Sequence, residues 1–371
     1  MEICQTKIII DLTAVEKNLN FLISRISKNT KVMAVIKANA YGHGLLGLAN
    51  FLKNKVDFFG VSSADESIQL RTNNIRTPIL IFAIVHPEFS YTAAKNSVSL
   101  SVCDVKDAED IAKTLKNKNL IVNLHLKIDT GMGRLGHWYK DALKIVEGIK
   151  KIKKVYLEGI YSHLACADSI KKVVSKEQIN RFSQVVSLLQ EKGLKPPICH
   201  LLNSAGILKF PEAEFDMVRP GLTLYGLSPC KDKKYRNLFY PAMKWITYPM
   251  FIKDIEKGKG ISYGHTFITP KKMKIAILPI GYANGYNRLF SNLSSVLVHG
   301  KRCKVLGRVC MDQTIIDVTD IPSITKKTEV VILGNQKQNI VSAEELAGFA
   351  KTIPYEIVCS IKNRIKREYI T

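Results

Sequence analysis

Val32-Met33-Ala34-Val35-Ile36-Lys37 is the stretch on which the fold turns. Five apolar residues with no alternating polar partner read as a strand buried on both faces, and such strands belong to parallel sheets covered by helices. The run stops at a lysine, followed by Ala38-Asn39-Ala40-Tyr41-Gly42. Seven more runs of the same kind follow, at 58–62, 78–82, 98–102, 121–128, 156–163, 198–202 and 217–224. Between them lie stretches with helical spacing, among them 64–72, 105–116, 141–150 and 175–191. Eight strand–helix units close most economically as a (β/α)8 barrel, and ~200 residues fit the lower end of that fold's size. An open doubly wound sheet is the alternative, but no Gly-x-Gly-x-x-Gly follows the first run.

After Cys230 the pattern changes. Residues 231–236 read as a charged link, and β-branched or alternating runs follow at 245–251, 274–280, 295–298, 314–318 and 329–333. Only 342–351 reads as a helix, with Ser342 as its cap and Glu345 at the reciprocal position. The expected organisation is an α/β barrel over 11–230 and a mostly antiparallel β domain over 231–371, joined by the N-terminal strand, residues 1–10.

Composition narrows the function classes. The 371 residues are 46% hydrophobic and 23% charged, which excludes disorder. No apolar stretch reaches the ~18 residues of a membrane span. The N-terminus reads as a strand around Ile8-Ile9-Ile10 rather than a signal peptide, so a cytoplasmic protein is expected. Net charge is +23, with lysine outnumbering arginine 43 to 12. These lysines are spread along the chain without a base-reading motif, so a solvated surface is expected rather than specific nucleic-acid binding. The eight cysteines form no Cys-x-x-Cys pair, and the nearest two, Cys303 and Cys310, lack metal spacing. Reduced thiols and no metal site are expected.

Functional residues of a (β/α)8 barrel gather at the C-terminal ends of its strands. Those ends here carry Lys37, then Lys127 with Asp129-Thr130-Gly131-Met132-Gly133-Arg134, then His163, Asn203-Ser204 and Arg219-Pro220-Gly221. A loop Lys or Arg is ordinarily just a solvated cation. Lys37 differs because it emerges from a buried strand, where desolvation lowers an ammonium's pKa. Such a lysine suits Schiff-base chemistry with a carbonyl compound or with pyridoxal 5'-phosphate (PLP). Ser204, Asn203 and backbone N–H groups near Gly221 suit a phosphate, and Arg219 could face a ring nitrogen.

These segments carry a resemblance. Residues 34–44, 126–136 and 215–221, with Ile261-Ser262-Tyr263-Gly264, Pro279-Ile280-Gly281-Tyr282-Ala283 and Gly307-Arg308-Val309-Cys310-Met311-Asp312-Gln313, resemble the alanine racemases in the family's order. Those are barrel enzymes that use PLP to interconvert L- and D-alanine, supplying D-alanine to peptidoglycan. The resemblance implies that Lys37 bonds PLP and serves the D-enantiomer as base. Tyr263, from the other subunit of a homodimer, would be the base for the L-enantiomer. Tyr41, Ser204, Gly221, Leu222 and Tyr355 would hold the phosphate, with Asn203 beside them. Arg219 would pair with the pyridine nitrogen and His163 would orient it. Arg134 and the Met311 N–H would bind the substrate carboxylate, and Lys127 would be carbamylated to fix Arg134. Tyr282, Asp168 and Arg308 would line the entrance corridor.

An arginine partner has a consequence independent of the family. A guanidinium donates to the ring nitrogen without giving up its proton, so the ring stays a weaker electron sink than with an acid beside it. The chain departs from the family at Asn284 and Asn287, where Asp and Pro are common, at Lys366, where Pro is usual, and at Pro354. Two other readings compete: a racemase of another or broader amino-acid range, and a non-catalytic PLP-binding protein. The second resembles a lone barrel, without the domain that holds Tyr263 and Met311 here.

Overall fold

The computed structural model describes residues 6–230, 232, 235 and 238–371; Cys4 and most of the link expected at 231–236 lie outside the described residues. Two compact units divide the chain. One comprises Glu16–Ala40 and Leu45–Tyr240; the other gathers the chain up to Val15, Tyr41–Gly44 and Pro241–Thr371. The division falls after Tyr240. Asn18 explains why: its side-chain amide donates to Tyr240 O at 2.8 Å and accepts from Tyr240 N at 2.8 Å, tying that residue to the first barrel helix.

In the first unit the strands Lys31–Val35, Phe58–Val61, Ile79–Ile81, Val98–Val102, Val122–Asp129, Val155–Tyr161, Ile198–Asn203 and Met217–Arg219 each run parallel to their neighbours. The last pairs with the first through Met217↔Lys31 and Val218↔Val32, which closes the sheet. This is an eight-stranded parallel barrel with a separate mostly-β unit. Its lower interior is a cluster of Met33, Phe58, Leu80, Ile198 and Met217 with Phe82 against it. Each such side chain contributes about 1.5–3 kcal/mol on burial. The last strand is shorter than the run at 217–224 suggested. Pro220 cannot donate to a ladder, so the strand stops at Arg219 and Leu222–Tyr225 winds into a tight helical turn.

The helix Ala64–Thr72 shows how sequence sets an element here. Ser63 caps it by accepting from Glu66 N, and Asp65 and Glu66 complement the first turn. Its last turn carries Arg71 into a buried position below the strands. The guanidinium donates to Asn96 O at 2.7 Å, Ile75 O at 2.7 Å, Thr77 O at 2.9 Å and Ser97 O at 3.0 Å. Four carbonyls from the turns leading into two strands are thereby satisfied by one cation.

The second unit is built on two main sheets, beside a two-stranded pair of Gly260–Ile261 with Phe267–Ile268. The larger runs Lys301–Lys304, Ser295–Val298, Val330–Gln336, Met243–Thr247, Thr6–Asp11, Lys366–Ile370, with Asn339–Val341 paired beside it. Its pairings are antiparallel except that Thr6–Asp11 lies parallel to Lys366–Ile370. The smaller holds Phe251–Ile255, Met273–Leu278 and Thr314–Asp317. The run at 245–251 is therefore two strands, broken at Pro249. Lys301–Lys304 and Lys366–Ile370 gave little sequence signal because they are the charged edges of the larger sheet. Ser342 caps Ala343–Ala350, accepting from Glu345 N at 3.1 Å. A second helix, Pro354–Cys359, corrects the reading of 342–351 as the only one; six residues with proline at the start are too few to show a period.

Arg71→Ala would leave four carbonyls without their donor, two of them fully buried. We expect a loss of about 3 kcal/mol in urea unfolding, with Arg71→Lys recovering only part, because an ammonium cannot span four acceptors in a plane.

Candidate active site

Lys37 follows the first barrel strand directly, and the chain beyond it takes a conformation that L-residues avoid. Ala38, Asn39, Ala40 and Tyr41 all have φ between 52° and 54°, a left-handed turn made without glycine. Left-handed helical geometry costs roughly 1–2 kcal/mol per residue. The surroundings hold it in place. Ala40 N donates to Ile36 O at 2.8 Å, Asn39 N to Glu66 Oε1 at 3.2 Å, and Leu45 N to Asn39 Oδ1 at 2.7 Å. Backbone strain of this kind collects at functional sites.

Two strands around the mouth the strand Ile198–Asn203 passes into the helix Ser204–Lys209. Asn203 caps that helix, its Oδ1 accepting from Gly206 N at 2.9 Å. Its side-chain oxygen is thus engaged as a cap, and its amide nitrogen is the end that can donate. Ser204 Oγ accepts from Gly221 N at 2.8 Å and from Thr223 Oγ1 at 3.0 Å. Both its lone pairs are taken, so its own O–H is left to donate. Leu222 is buried at the start of the turn that follows Gly221.

Arg219 is buried, and burial lowers its pKa to about 10. Its Nη2 donates to Ser162 O at 2.7 Å and Leu201 O at 2.9 Å, while His163 Nδ1 stands farther away at 3.3 Å. Two carbonyls already claim the two hydrogens of that nitrogen, so His163 is a minor partner. The side chain that fixes Arg219 is His200, whose Nδ1 accepts from Nη1 at 2.9 Å. Tyr161 stacks flat on His200 with centroids 4.8 Å apart and lies under the Arg219 guanidinium. Burial first, then the neighbouring cations Arg219 and Lys127, hold His163 and His200 well below the ordinary imidazole range. Sequence reasoning missed His200 and, beyond it, His125 and Glu158. A signal existed: inward-facing barrel positions are ordinarily aliphatic, whereas here Lys127, Tyr161, His200 and Arg219 take them together near the mouth.

Lys127 is only 4% exposed. Its ammonium sits over the Tyr161 ring at 4.9 Å and touches only a carbonyl, Ile128 O at 3.3 Å. Burial, reinforced by Arg219 and Arg134, lowers its pKa to about 7. Asp129 builds the turn toward Arg134, accepting from the N–H groups of Gly131, Met132 and Gly133 at 2.7, 2.8 and 2.9 Å. Arg134 itself is exposed, as is Asp168.

In the second unit Tyr263 and Met311 line one concave patch with Ser262, Gly264 and Cys310. They are 69% and 55% exposed, high for large apolar side chains. The loop is strained, with Ser262 at φ 59° and His265 at φ 43°. Ser262 Oγ donates to Arg308 O at 2.6 Å, and the Arg308 guanidinium lies so close to Gly264 that any side chain there would press on it. Tyr282 is exposed nearby in sequence. Asn284 and Asn287 are turn residues: Asn284 Oδ1 accepts from Gly281 N at 3.1 Å and Asn287 Oδ1 from Leu289 N at 2.9 Å. Tyr41 and Tyr355 lie with ring centroids 6.0 Å apart, and burial pushes the Tyr41 phenol upward.

A lysine amine at a strand end, a buried guanidinium that can only donate, and a seryl O–H left to donate form a donor set for an anionic, nitrogen-ring cofactor. That chemistry fits PLP, on a barrel whose reactive groups stand at its strand ends. Residues 10–229 match the family described as "Alanine racemase, N-terminal domain" and residues 242–369 "Alanine racemase, C-terminal domain". The chain belongs to the alanine racemase family. Among its relatives, alanine racemase 2 of Caldanaerobacter subterraneus subsp. tengcongensis is 39% identical, over 100% of this chain and 96% of that protein. The alanine racemase of Halothermothrix orenii is 38% identical, over 97% and 95%. Of solved structures, alanine racemase of Clostridium difficile 630 superposes with a TM-score of 0.94 at 35% identity, covering 100% of this chain and 97% of that one. The Bacillus anthracis enzyme with bound L-Ala-P gives 0.92 at 33% identity, covering 99% and 95%.

The depressed pKa of Lys127 has a pH signature. Unmodified, it resists burial as a cation, a cost present in full below about pH 7 and gone once both folded and unfolded lysines are neutral, above the ordinary 10.5. In bicarbonate-free buffer, stability of the unchanged protein should therefore rise between pH 7 and 9 relative to Lys127→Met, read from urea midpoints.

Proposed function

We propose that this chain is a PLP-dependent alanine racemase, interconverting L- and D-alanine by two bases and supplying D-alanine for peptidoglycan from the cytoplasm. The observation that carries the reading is Arg219: a donor-only group, buried and held from three sides, next in space to the residues that would hold a cofactor. Among the described residues no helix is long and apolar enough to cross a membrane.

When bound, PLP supplies a ring that takes up the charge left as the alanine Cα loses its proton. The rest is the chain's own work. Lys37 would carry the cofactor covalently, and Ser204 with the N–H groups of Gly221 and Leu222 would hold its phosphate. Arg219 would donate to the ring nitrogen while keeping its proton, so charge on Cα is not drained deep into the ring and competing reactions stay slow. Arg134 would bind the substrate carboxylate. Lys127, neutral in a good fraction of molecules near pH 7, is a nucleophile toward CO2. Its nitrogen bonds the carbon, a proton leaves to solvent, and the resulting carbamate anion replaces a cation that repels Arg134. Tyr263 and the Met311 N–H would come from a second copy of the chain. Their exposure on a strained, concave loop supports a surface that a partner covers. Lys37 and Tyr263 would then hold and move the Cα proton on opposite faces, the requirement for inversion.

The test is incubation of the PLP-loaded protein with each alanine enantiomer in D2O. Racemisation with deuterium at Cα is expected, faster on alanine than on serine or lysine; a faster non-alanine substrate would make it a racemase of other range, and no reaction in folded, PLP-loaded protein would favour the non-catalytic reading. Tyr263→Phe should slow racemisation by about 10³-fold. It should leave D-alanine exchanging its Cα hydrogen with retention while L-alanine does not, which separates the two bases.

A further inference from the structure

The contact between Arg219 and His200 is the first of three that cross the barrel interior. His200 Nε2 lies 2.8 Å from His125 Nδ1, and His125 Nε2 lies 3.0 Å from Glu158 Oε2. Glu158 ends the series, its carboxylate also accepting from Ser99 Oγ at 2.5 Å and Asn123 Nδ2 at 2.9 Å. Both imidazoles are buried. Gly159 makes the room: a Cβ there would stand 2.3 Å from the His125 ring.

Only one placement of protons satisfies all three contacts. Arginine has no acceptor, so His200 Nδ1 must be bare. A neutral His200 then carries its hydrogen on Nε2 and donates to His125 Nδ1, which must be bare in turn. His125 carries its hydrogen on Nε2 and donates to Glu158, an acceptor because it is ionised. A second proton on His125 would force His200 to accept at both nitrogens, which requires an imidazolate. The direction of every bond is thus set at one end by a group that can only donate and at the other by one that can only accept. Glu158 supports this state: burial pushes its carboxyl up, but His125, Ser99 and Asn123 together hold it below its ordinary value.

We propose that Glu158 is a positioning residue for Arg219, acting through His125 and His200. Its charge locks both imidazoles as Nε2–H tautomers, so Arg219 meets an acceptor on its inner side and keeps the remaining guanidinium hydrogens turned to the cofactor. It is also a counter-charge for a buried cation whose direct contacts are all neutral. A chain of polarised hydrogen bonds transmits such an influence better than the separation of the two charges suggests. The proposal rests on the reading of Arg219 as the ring-nitrogen partner, but the proton arrangement does not.

The experiment reads the rings directly. In PLP-loaded, full-length protein labelled with 15N-histidine, long-range 1H–15N correlation distinguishes a bare nitrogen from a protonated one. His125 and His200, assigned by His125→Asn and His200→Asn, should each show a bare Nδ1 and a protonated Nε2. A protonated Nδ1 on His200, or a doubly protonated His125, overturns the proposal whatever the racemase assay gives. Glu158→Gln removes the charge with little change of shape. It should mix the tautomers of both rings, shift the absorption band of bound PLP and lower kcat about tenfold with KM for alanine nearly unchanged. Unmoved ring signals and an unmoved kcat in that variant also overturn it. Absence of racemisation in the unchanged protein, with the Nε2–H pattern present, would sink the functional reading alone.

Discussion

A guanidinium cannot accept a hydrogen bond, and that constraint orders the polar interior of this barrel. Arg219 must be met by acceptors on every side, and the chain provides Ser162 O, Leu201 O and His200 Nδ1. The requirement then propagates. His200 can accept only by donating at its other nitrogen, and His125 inherits the same condition. Tyr161 fits between these demands by offering a flat face to both His200 and Arg219 while its hydroxyl pairs with Ser101 Oγ at 2.8 Å. Both imidazoles of the layer are paired at both ring nitrogens.

The barrel holds a second buried arginine, and the comparison shows what placement does to chemistry. Arg71 and Arg219 both lose solvent, and burial lowers both to about 10. Arg71 lies where strands begin and is surrounded by four carbonyls, so it ties loops together. Arg219 ends a strand and shares its contacts between carbonyls and an imidazole that has its own partners. One is a staple; the other faces the mouth, where barrel enzymes place their reactive groups.

The barrel was legible because its strands are short apolar runs at regular intervals, and because Lys37 and His163 stand where runs stop while Lys127 and Arg219 interrupt them. Its last strand was overread because Leu222–Tyr225 is apolar without being extended. The outer strands of the β unit were hidden by charge, since an edge needs only one apolar face. At the site, the residues that would touch cofactor or substrate could be assigned by likeness, but the partners behind them could not. The resemblance implied that His163 orients Arg219; His200, inside an apolar run between Cys199 and Leu201, stands closer to it, at 2.9 Å against 3.3 Å. Which side chains meet across a barrel depends on register, and Leu124/His125 against Gly159 is where the register shifts.

The left-handed turn after Lys37 has a consequence for how the protein matures. Alanines do not hold such a turn alone, and one group that secures Asn39 is Glu66, on the third element further along the chain. In a growing or unfolded polypeptide the turn therefore relaxes, and the lysine is one of many flexible amines with ordinary reactivity toward aldehydes. Only after the first strand–helix units have docked is Lys37 singled out from the other 42 lysines. Under the proposed function, cofactor loading would thereby be a late event, gated by tertiary structure rather than by local sequence.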